Sequence, residues 1–285
     1  MRRPQEIEYD ARTMDTVGQL AGAFEGIASM HIIRIKDQVA QSQAFFEDLW
    51  QIYTQLRVDK EFHSGHGYDK KVTINKELII IITSDGSLSG DIDQKLVDDM
   101  LHYYDKKRHA IIVIGHHGAY QLKQAGVVYE KEFKLPGNSQ KIDFSPIVLE
   151  IQKYSSCRVY YQTYVSLVRQ EIKNIELSQA VEEQGRAAQQ QGDYISESTY
   201  ILEPSVFKVV GHMERSMLQI ALAQVVLESK LAQYASRFRA MSVAHTKAKD
   251  ASRDLHTELN HTKRIIKDER TKEIINGLRK EKVYI

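Results

Sequence analysis

The chain has 285 residues, and its 39 basic and 38 acidic side chains leave a formal net charge of +1, which gives no global argument for binding nucleic acid or an anionic membrane. Its single cysteine, Cys157, excludes an intramolecular disulfide and favours a reducing compartment. The longest apolar run, Leu78 to Ile82, is too short to cross a bilayer. No apolar stretch follows the first arginines, as it would in a secretory signal, so we expect a cytoplasmic protein.

Residues 1–60 are predicted to form one long helix of a coiled coil. Apolar side chains recur at alternating steps of four and three residues, the spacing that places one helix face against a partner. These positions are Met14, Val17, Ala21, Phe24, Ala28, His31, Ile35, Phe45, Leu49, Ile52 and Leu56. Gly18, Gly22 and Gly26 lie four residues apart, and each costs about 1 kcal/mol against alanine inside a helix. We expect close approach of a second helix to offset that cost; the alternative is that the glycines fray a weak helix.

Residues 61–204 are predicted to form an α/β domain. Short apolar runs rich in β-branched residues alternate here with helical segments, and this alternation is typical of a parallel sheet. The predicted strands are Glu77–Thr83, His109–Gly115, Val127–Phe133, Cys157–Val168 and Thr199–Leu202, and the predicted helices are Ile92–Tyr104 and Pro146–Tyr154. The polar, glutamine-rich segment 178–193 is expected to be a loop.

Residues 205–285 are predicted to form a second long helix, because neither proline nor glycine occurs from His212 to Asn276. Apolar and small residues again follow steps of four and three, at Leu227, Leu231, Tyr234, Phe238, Met241, His245, Ala248, Ser252, Leu255, Leu259, Thr262 and Ile266. A stripe of small residues, Ala240, Ala244 and Ala248, matches the glycines of the first helix. We therefore expect the two ends of the chain to pair as a long antiparallel coiled coil, with a Rossmann-like α/β domain inserted between them.

The stretch TSDGSLSGD, which follows the first predicted strand, raises the question of a phosphate-binding loop. A dinucleotide fingerprint requires GxGxxG, and a phosphate loop of the GxxxxGK[ST] type requires a lysine after its last glycine. Here Gly90 is followed by Asp91, whose carboxylate would repel phosphate. The favoured interpretation is a structural turn at Gly86, with Ser89 or Asp91 capping the next helix.

The histidines and the cysteine give only weak signals of a site. His63 and His66 lie in FHSGHGY, and His116 and His117 lie in GHHGAY, whereas zinc usually needs four convergent ligands with help from cysteine or carboxylate. Cys157 lies in a predicted strand with nothing to mark it as an activated nucleophile. We therefore predict that this chain has no catalytic residue, holds no metal and binds no cofactor.

The last part of the chain is basic, because thirteen cations and seven acids lie between Arg237 and Ile285. A solvated coiled-coil face would be closer to balance, so this excess predicts an acidic partner around the helix. Nucleic acid would call for aromatic interleaving or a known module, and the segment shows neither.

Several motifs of the chain follow the pattern of one family. Glu228 to Met241 (ESKLAQYASRFRAM) fits ES-x-A-x-E-x-AARM-x-AM without a gap, and Glu273 to Gly277 fits EI-x-x-G. Thr83 to Gly90 is similar to TSDRGLCGGLN, residues 20–28 to ITKAM-x-MVA, and residues 200–204 (YILEP) to Y-x-Y-E-P. These patterns belong to the gamma subunits of F-type ATP synthases, and the chain resembles a divergent member of that family. It departs from the pattern in lacking both usual lysines of the first helix and in carrying the tail LRKEKVYI after Gly277.

The resemblance implies that the chain is the non-catalytic central rotor shaft of a proton-transporting complex. It would turn inside a ring of three alpha and three beta subunits, which bind ATP or ADP with Mg. An epsilon-like subunit and a membrane rotor ring would be further partners, without nucleic acid, and the complex would lie peripherally on the cytoplasmic membrane face. The residues implied are Asn260, Lys263, Arg264 and Asp268 for torque contacts with beta, and Val283, Tyr284 and Ile285 for an apolar bearing.

Three other functions stay open at this point. The departures from the family pattern are compatible with a specialised F-type-like motor that is not used for ATP synthesis. A coiled-coil scaffold that forms a dimer would be expected to have leucine-rich seams, and a nucleotide-binding α/β enzyme would need a phosphate loop.

Overall fold

A computed structural model describes residues 2–57, 74–86, 88–134, 143–177 and 206–281 of the chain. These residues fall into two compact units. The first combines Met1–Ile27 with Phe238–Ile285, and the second is Ala28–Arg237. The predicted division into segments 1–60, 61–204 and 205–285 follows the sequence rather than the packing, and it stays a prediction.

Two long helices contribute to both units. Helix α1 is Pro4–Arg57, and helix α5 is Val206–Glu281. Proline at the first position of α1 is favourable because its missing N–H would have no partner inside the helix. With 76 residues, α5 is roughly 110 Å long.

In the first unit, α1 and α5 pack antiparallel through a narrow seam. The α1 side of the seam follows steps of four and three residues at positions 7, 11, 14, 18, 21 and 25. On α5 the buried positions are Met241, Ala248, Ser252, Leu259 and Thr262, and all of them belong to the predicted heptad register. Because small and polar residues make up most of this seam, the two helix axes can approach closely.

The predicted register of α1 is wrong at several places. Val17 and Phe24, which were expected in the seam, are 42% and 41% exposed. The seam instead contains the next residues, the buried Gly18 and the half-buried Glu25. A hydrophobicity pattern favours valine and phenylalanine over glycine and glutamate, but the partner helix requires a small residue where it comes close.

The same correction applies to α1 within the second unit. Phe45 and Ile52, expected in the seam, are 59% and 46% exposed. Phe46 and Trp50 are buried there and pack with Met217 of α5.

A five-stranded sheet forms the centre of the second unit. The strands are β1 Ile74–Ile82, β2 His109–Ile114, β3 Lys131–Phe133, β4 Tyr154–Tyr164 and β5 Gln170–Glu176. Their order is β3-β2-β1-β4-β5, and the first four are parallel, as predicted. The fifth strand pairs antiparallel with β4, which the sequence analysis did not predict.

Helices cover both faces of this sheet. Helices α2 (Ile92–Tyr103) and α3 (His116–Gln124) pack on one face, and α4 (Ser145–Ile151) packs with part of α5 on the other. Every residue of β2 is buried, because a parallel strand between two helical layers meets no water.

Several predicted bounds differ from the observed ones. Strand β4 ends at Tyr164, so that residues 165–168 of the predicted strand belong to the turn 165–169, which leads to β5. Strand β3 occupies only the end of the predicted strand Val127–Phe133. The predicted loop 178–193 and the predicted strand Thr199–Leu202 lie outside the described residues.

Candidate functional site

The loop after β1 lies at the carboxyl end of the sheet, where nucleotide-binding α/β proteins hold phosphate. Thr83 begins the loop and donates from Oγ1 to the carbonyl of Ile114 at 3.2 Å. The same hydroxyl accepts from the Gly118 N–H at 2.9 Å. Thr83 therefore joins β1 to the turn between β2 and α3, and its hydroxyl is occupied by the protein itself.

Helix α5 fills the space around the rest of this loop. Ser236 Oγ donates to the Ser89 carbonyl at 2.7 Å, and Arg237 donates to Ser89 Oγ at 3.1 Å. A Cβ added to Gly86 would lie 3.3 Å from the Arg237 guanidinium, and one added to Gly90 would lie 3.6 Å from Ser236 Oγ. The loop thus holds part of the long helix, as a structural turn would.

The expected capping of α2 takes a different form. Asp91 occupies the N-cap position, but neither it nor Ser89 makes a side-chain capping hydrogen bond there. The Asp91 carboxylate lies 2.8 Å from Lys95 Nζ instead, one turn along the helix. Ser89 contacts α5 as described above, so packing against the long helix has replaced the local cap.

Histidine and cysteine side chains are engaged in structural contacts. His116 Nδ1 lies 3.1 Å from Glu132, and His117 Nδ1 lies 2.9 Å from Asp93. Burial raises the pKa of the Cys157 thiol far above its usual range, so that this residue is a poor nucleophile. Among the residues that the structure describes, no three histidine, cysteine or carboxylate side chains are placed to hold a metal ion. His63 and His66 lie outside those residues, and the absence of a metal stays a prediction.

The predicted torque residues lie on the exposed side of α5 in the first unit. Asn260, Lys263, Arg264 and Asp268 are all exposed, and their spacing places them near one face of the helix. Lys263 Nζ lies 4.0 Å from the carboxylate of Glu8 on α1. The predicted bearing residues Val283, Tyr284 and Ile285 lie outside the described residues.

Carboxylates of α1 face basic and hydroxyl groups of α5 along the same seam. Asp15 accepts from Ser252 Oγ at 2.5 Å and lies 3.4 Å from His256 Nε2. The hydrogen bond from Ser252, followed by that from His256, lowers the pKa of the Asp15 carboxyl. Glu25 lies 3.4 Å from His245. These pairs could not be predicted from the sequence, because the two members of each pair are more than 200 positions apart in the chain.

The comparisons with known proteins identify the family. The ATP synthase family profile matches residues 4–278. The chain belongs to the ATP synthase family. The curated ATP synthase gamma chain of Chlorobaculum parvum is 24% identical to it over 286 residues, with 96% of this chain and 97% of the relative covered. The gamma chain of Clostridium novyi is 22% identical, with 95% of each chain covered.

Solved structures share the fold of this ATP synthase family member. A chain of the Euglena gracilis mitochondrial ATP synthase (OSCP/F1/c-ring, rotational state 3) superimposes with a TM-score of 0.63 at 13% identity, covering 96% of this chain and 94% of that one. A chain of the rotor of the same enzyme gives 0.57 at 14% identity, with 92% and 99% covered. The predicted family and fold class are confirmed, and the gamma-chain names of the relatives support the predicted role as a rotor shaft.

The three glycines of α1 in this ATP synthase family member differ in what a side chain there would contact. A Cβ on Gly18 would lie 3.6 Å from Ala248 Cβ, and one on Gly22 would lie 2.9 Å from His245 Nδ1. A Cβ on Gly26 would meet no heavy atom within 4 Å, so the expected close packing is absent there. Steps of four residues advance roughly 40° beyond a full turn each time, which carries the third glycine away from the seam. On α5, Ala240 and Ala244 are half-buried.

This difference predicts unequal changes in stability for two alanine substitutions. Gly26→Ala should raise the free energy of unfolding by about 1 kcal/mol, because alanine is the better helix former and the position is open. Gly22→Ala should gain less or lose stability, since the new methyl group displaces His245 from its contact with Glu25. Urea unfolding followed by helical circular dichroism measures both. Equal stabilisation by the two variants would show that Gly22 is not needed for helix approach.

Proposed function

We propose that the chain turns as the central shaft inside a ring of three alpha and three beta subunits of a rotary ATP synthase or ATPase. The observation that carries the proposal is the two-helix rod of the first unit, whose seam contains Gly18, Ser252 and Thr262 in place of large side chains. Such a rod is slim, and it leaves polar and basic side chains of α5 on its outside. A shaft that must fit a narrow bore and contact acidic walls needs both properties.

The shaft acts on catalysis without performing it. Each angle of the rod contacts one beta subunit differently and so favours one nucleotide state of that subunit, which is coupling by differential contact between states. ATP or ADP with Mg binds to the partner subunits, and this chain binds no cofactor. Ser236 and Arg237 of α5 hydrogen-bond to Ser89 in the loop after β1, and these contacts support the proposal that the loop holds the helix and not a nucleotide.

Specific residues are assigned to the coupling. Asn260, Lys263, Arg264 and Asp268 contact beta, with the two cations meeting acidic loops, and Val283, Tyr284 and Ile285 lie in an apolar bearing at the end of the ring. The exposure of the first four residues supports this assignment. Gly18 and Gly22, with Ala248, keep the rod slim, and the short distances from a Cβ added at either glycine to side chains of α5 support that role.

The partners extend beyond the catalytic ring. Solved structures with the same fold are named as parts of a rotor and of a c-ring assembly. We therefore propose that this chain also binds an epsilon-like subunit and a membrane rotor ring. No helix in the part of the chain that the structure describes is long and apolar enough to cross a membrane. We propose that the complex lies peripherally at the cytoplasmic face, attached through the ring, and that proton transport takes place in the ring.

Departures from the family pattern favour a second candidate, a related motor dedicated to ATP hydrolysis. The first helix lacks the family's lysines, with Gly22 and Met30 or His31 standing near their places. The same shaft would then couple hydrolysis to a load other than the synthase ring.

Co-purification from the native host tests the proposal. A tagged chain should bring down alpha-like and beta-like subunits in about threefold excess, together with ATPase activity. Ring subunits in the same preparation would favour the synthase, and their absence would favour the dedicated motor. Recovery of the chain alone or as a homodimer would overturn the shaft proposal and return the scaffold interpretation.

A further inference from the structure

Two kinds of contact hold α5 against the sheet of the second unit. The first is apolar: the helix shares a core with β1 and β4 through Ala221, Leu222, Val225 and Val226. Apolar burial favours contact in proportion to area and has no preferred direction. The second kind is polar, and hydrogen bonds weaken steeply when their angle changes. Polar contacts therefore add an angular constraint on the rotational setting of a helix to the constraint from apolar packing.

A buried carboxylate lies at the centre of the polar contacts. Asp93, in the first turn of α2, is 1% exposed. It accepts hydrogen bonds from the backbone N–H and the hydroxyl of Ser84, and from Gln162 Nε2 at 2.8 Å. It also lies 2.9 Å from His117 Nδ1. A carboxylate removed from water is costly unless hydrogen bonds surround it, so these contacts hold Asp93 in one position.

Gln162 carries the network from the sheet to α5. This residue of β4 is completely buried, and its Nε2 is bound to Asp93. Its Oε1 accepts from Ser229 Oγ at 2.5 Å and from Gln233 Nε2 at 3.3 Å. Gln233 Nε2 also donates to Ser229 Oγ at 3.1 Å. Because both ends of the Gln162 amide are engaged, the fixed position of Asp93 determines where these two helix residues lie.

Further polar contacts lie on either side along α5. Thr163 Oγ1 donates to the carboxylate of Glu228, and Ser236 and Arg237 donate to Ser89 as described above. Together the contacts cover roughly 14 Å of the helix axis. They all belong to the second unit, which allows the sheet to hold this stretch of helix at several points.

We propose that Asp93, Gln162, Ser229 and Gln233, here called the polar joint, fix the rotational setting of α5 on the sheet so that torque passes between the helix and the domain. This inference rests on the proposed function of the chain as a rotor shaft. Torque acts to roll the helix about its own axis, and the angle-dependent contacts of the joint oppose that motion. Asp93 and Gln162 are positioning residues, since they act by holding the two side chains of the helix.

The test follows rotation of the assembled complex with a bead attached to the domain. The bead is attached through Tyr120→Cys, an exposed position of α3. Ser229→Ala with Gln233→Met removes the helix side of the polar joint at similar side-chain volume. The control, Ser242→Ala, makes the same serine replacement at a half-buried position of α5 outside the joint.

We expect the joint variant to hydrolyse ATP within about twofold of the wild type, because the helix pair of the first unit is unchanged, while the angular spread of the bead's pauses at least doubles, to about twice that of the control. Pauses as sharp as those of the control would overturn the inference. If the double variant fails to assemble, Gln233→Met alone is judged by the same two readings. A wild-type complex that hydrolyses ATP with a stationary bead would overturn the proposed function and this inference with it.

Discussion

Gly115→Ala is expected to unfold the second unit of the chain. Gly115 lies between β2 and α3 with φ +102°, in the region that favours glycine. A Cβ there would lie 2.1 Å from the Thr83 carbonyl oxygen and 2.7 Å from its carbon. These are backbone atoms at the end of β1, and they cannot move without separating β1 from β2. The expected cost exceeds about 4 kcal/mol, which is close to the lower end of the stability of a domain, about 5 kcal/mol.

Gly126→Ala provides the matched control for this prediction. Gly126 also has a positive φ, +70°, but a Cβ there would meet no heavy atom within 4 Å. It should therefore lose only the conformational cost of about 1–2 kcal/mol. Alkylation of the buried Cys157 reports opening of the sheet, and urea unfolding gives the midpoint. Equal midpoints for the two variants would contradict the account of the clash with Thr83.

The centre of the sheet could be predicted because its burial leaves a local mark on the sequence. β1 and β2 lie between helical layers on both faces, so each reads as a continuous run of β-branched and apolar residues. The helix between them, α2, was predicted to begin at Ile92, as it does, because its apolar residues follow the helical period. These elements are determined by short-range pattern and by burial acting together.

The edge of the sheet could not be predicted in the same way. β5, with the sequence QEIKNIE, lies at an edge where fewer neighbours cover it, so polar residues are accepted and the pattern is weak. Its antiparallel direction depends on the turn at 165–169 and on pairing with β4, neither of which has a strong sequence signal. At the other edge, β3 pairs only with Ile112–Ile114, and that short contact limits its length.

Packing between distant segments was the other source of error. In α1, the seam position is decided by how closely α5 approaches, and this selects Gly18 over the more hydrophobic Val17. Asp93 and Gln162 are 69 residues apart, and nothing local marks either as a buried polar residue. Lys263 and Arg264 came from the family resemblance rather than from any physical pattern, so their contact with a partner stays a proposal.

The second large effect is expected for Lys263→Glu combined with Arg264→Glu in the assembled complex. Both side chains are exposed on α5, and the proposed partner surface is acidic. Reversing two charges at such an interface replaces attraction with repulsion, and a change of a few kcal/mol in coupling is ample for a fall in ATP turnover of about tenfold or more. Turnover per assembled complex is the measurement, with assembly checked by subunit stoichiometry.

Two controls separate partner contact from changes within the shaft. Glu8→Gln removes the 4.0 Å contact with Lys263 while leaving the charge of α5 unchanged. This pair is largely solvent-exposed and contributes little to stability, so turnover should not change. Arg270→Glu with Lys272→Glu reverses two other exposed charges on the same helix. If that variant loses as much turnover as Lys263→Glu with Arg264→Glu, the general charge of the rod accounts for the effect. If neither variant loses turnover, Lys263 and Arg264 have no part in coupling. Loss confined to Lys263 and Arg264, with turnover unchanged in Glu8→Gln, requires a partner that contacts those positions, because the ion pair of Lys263 with Glu8 is then excluded as the cause.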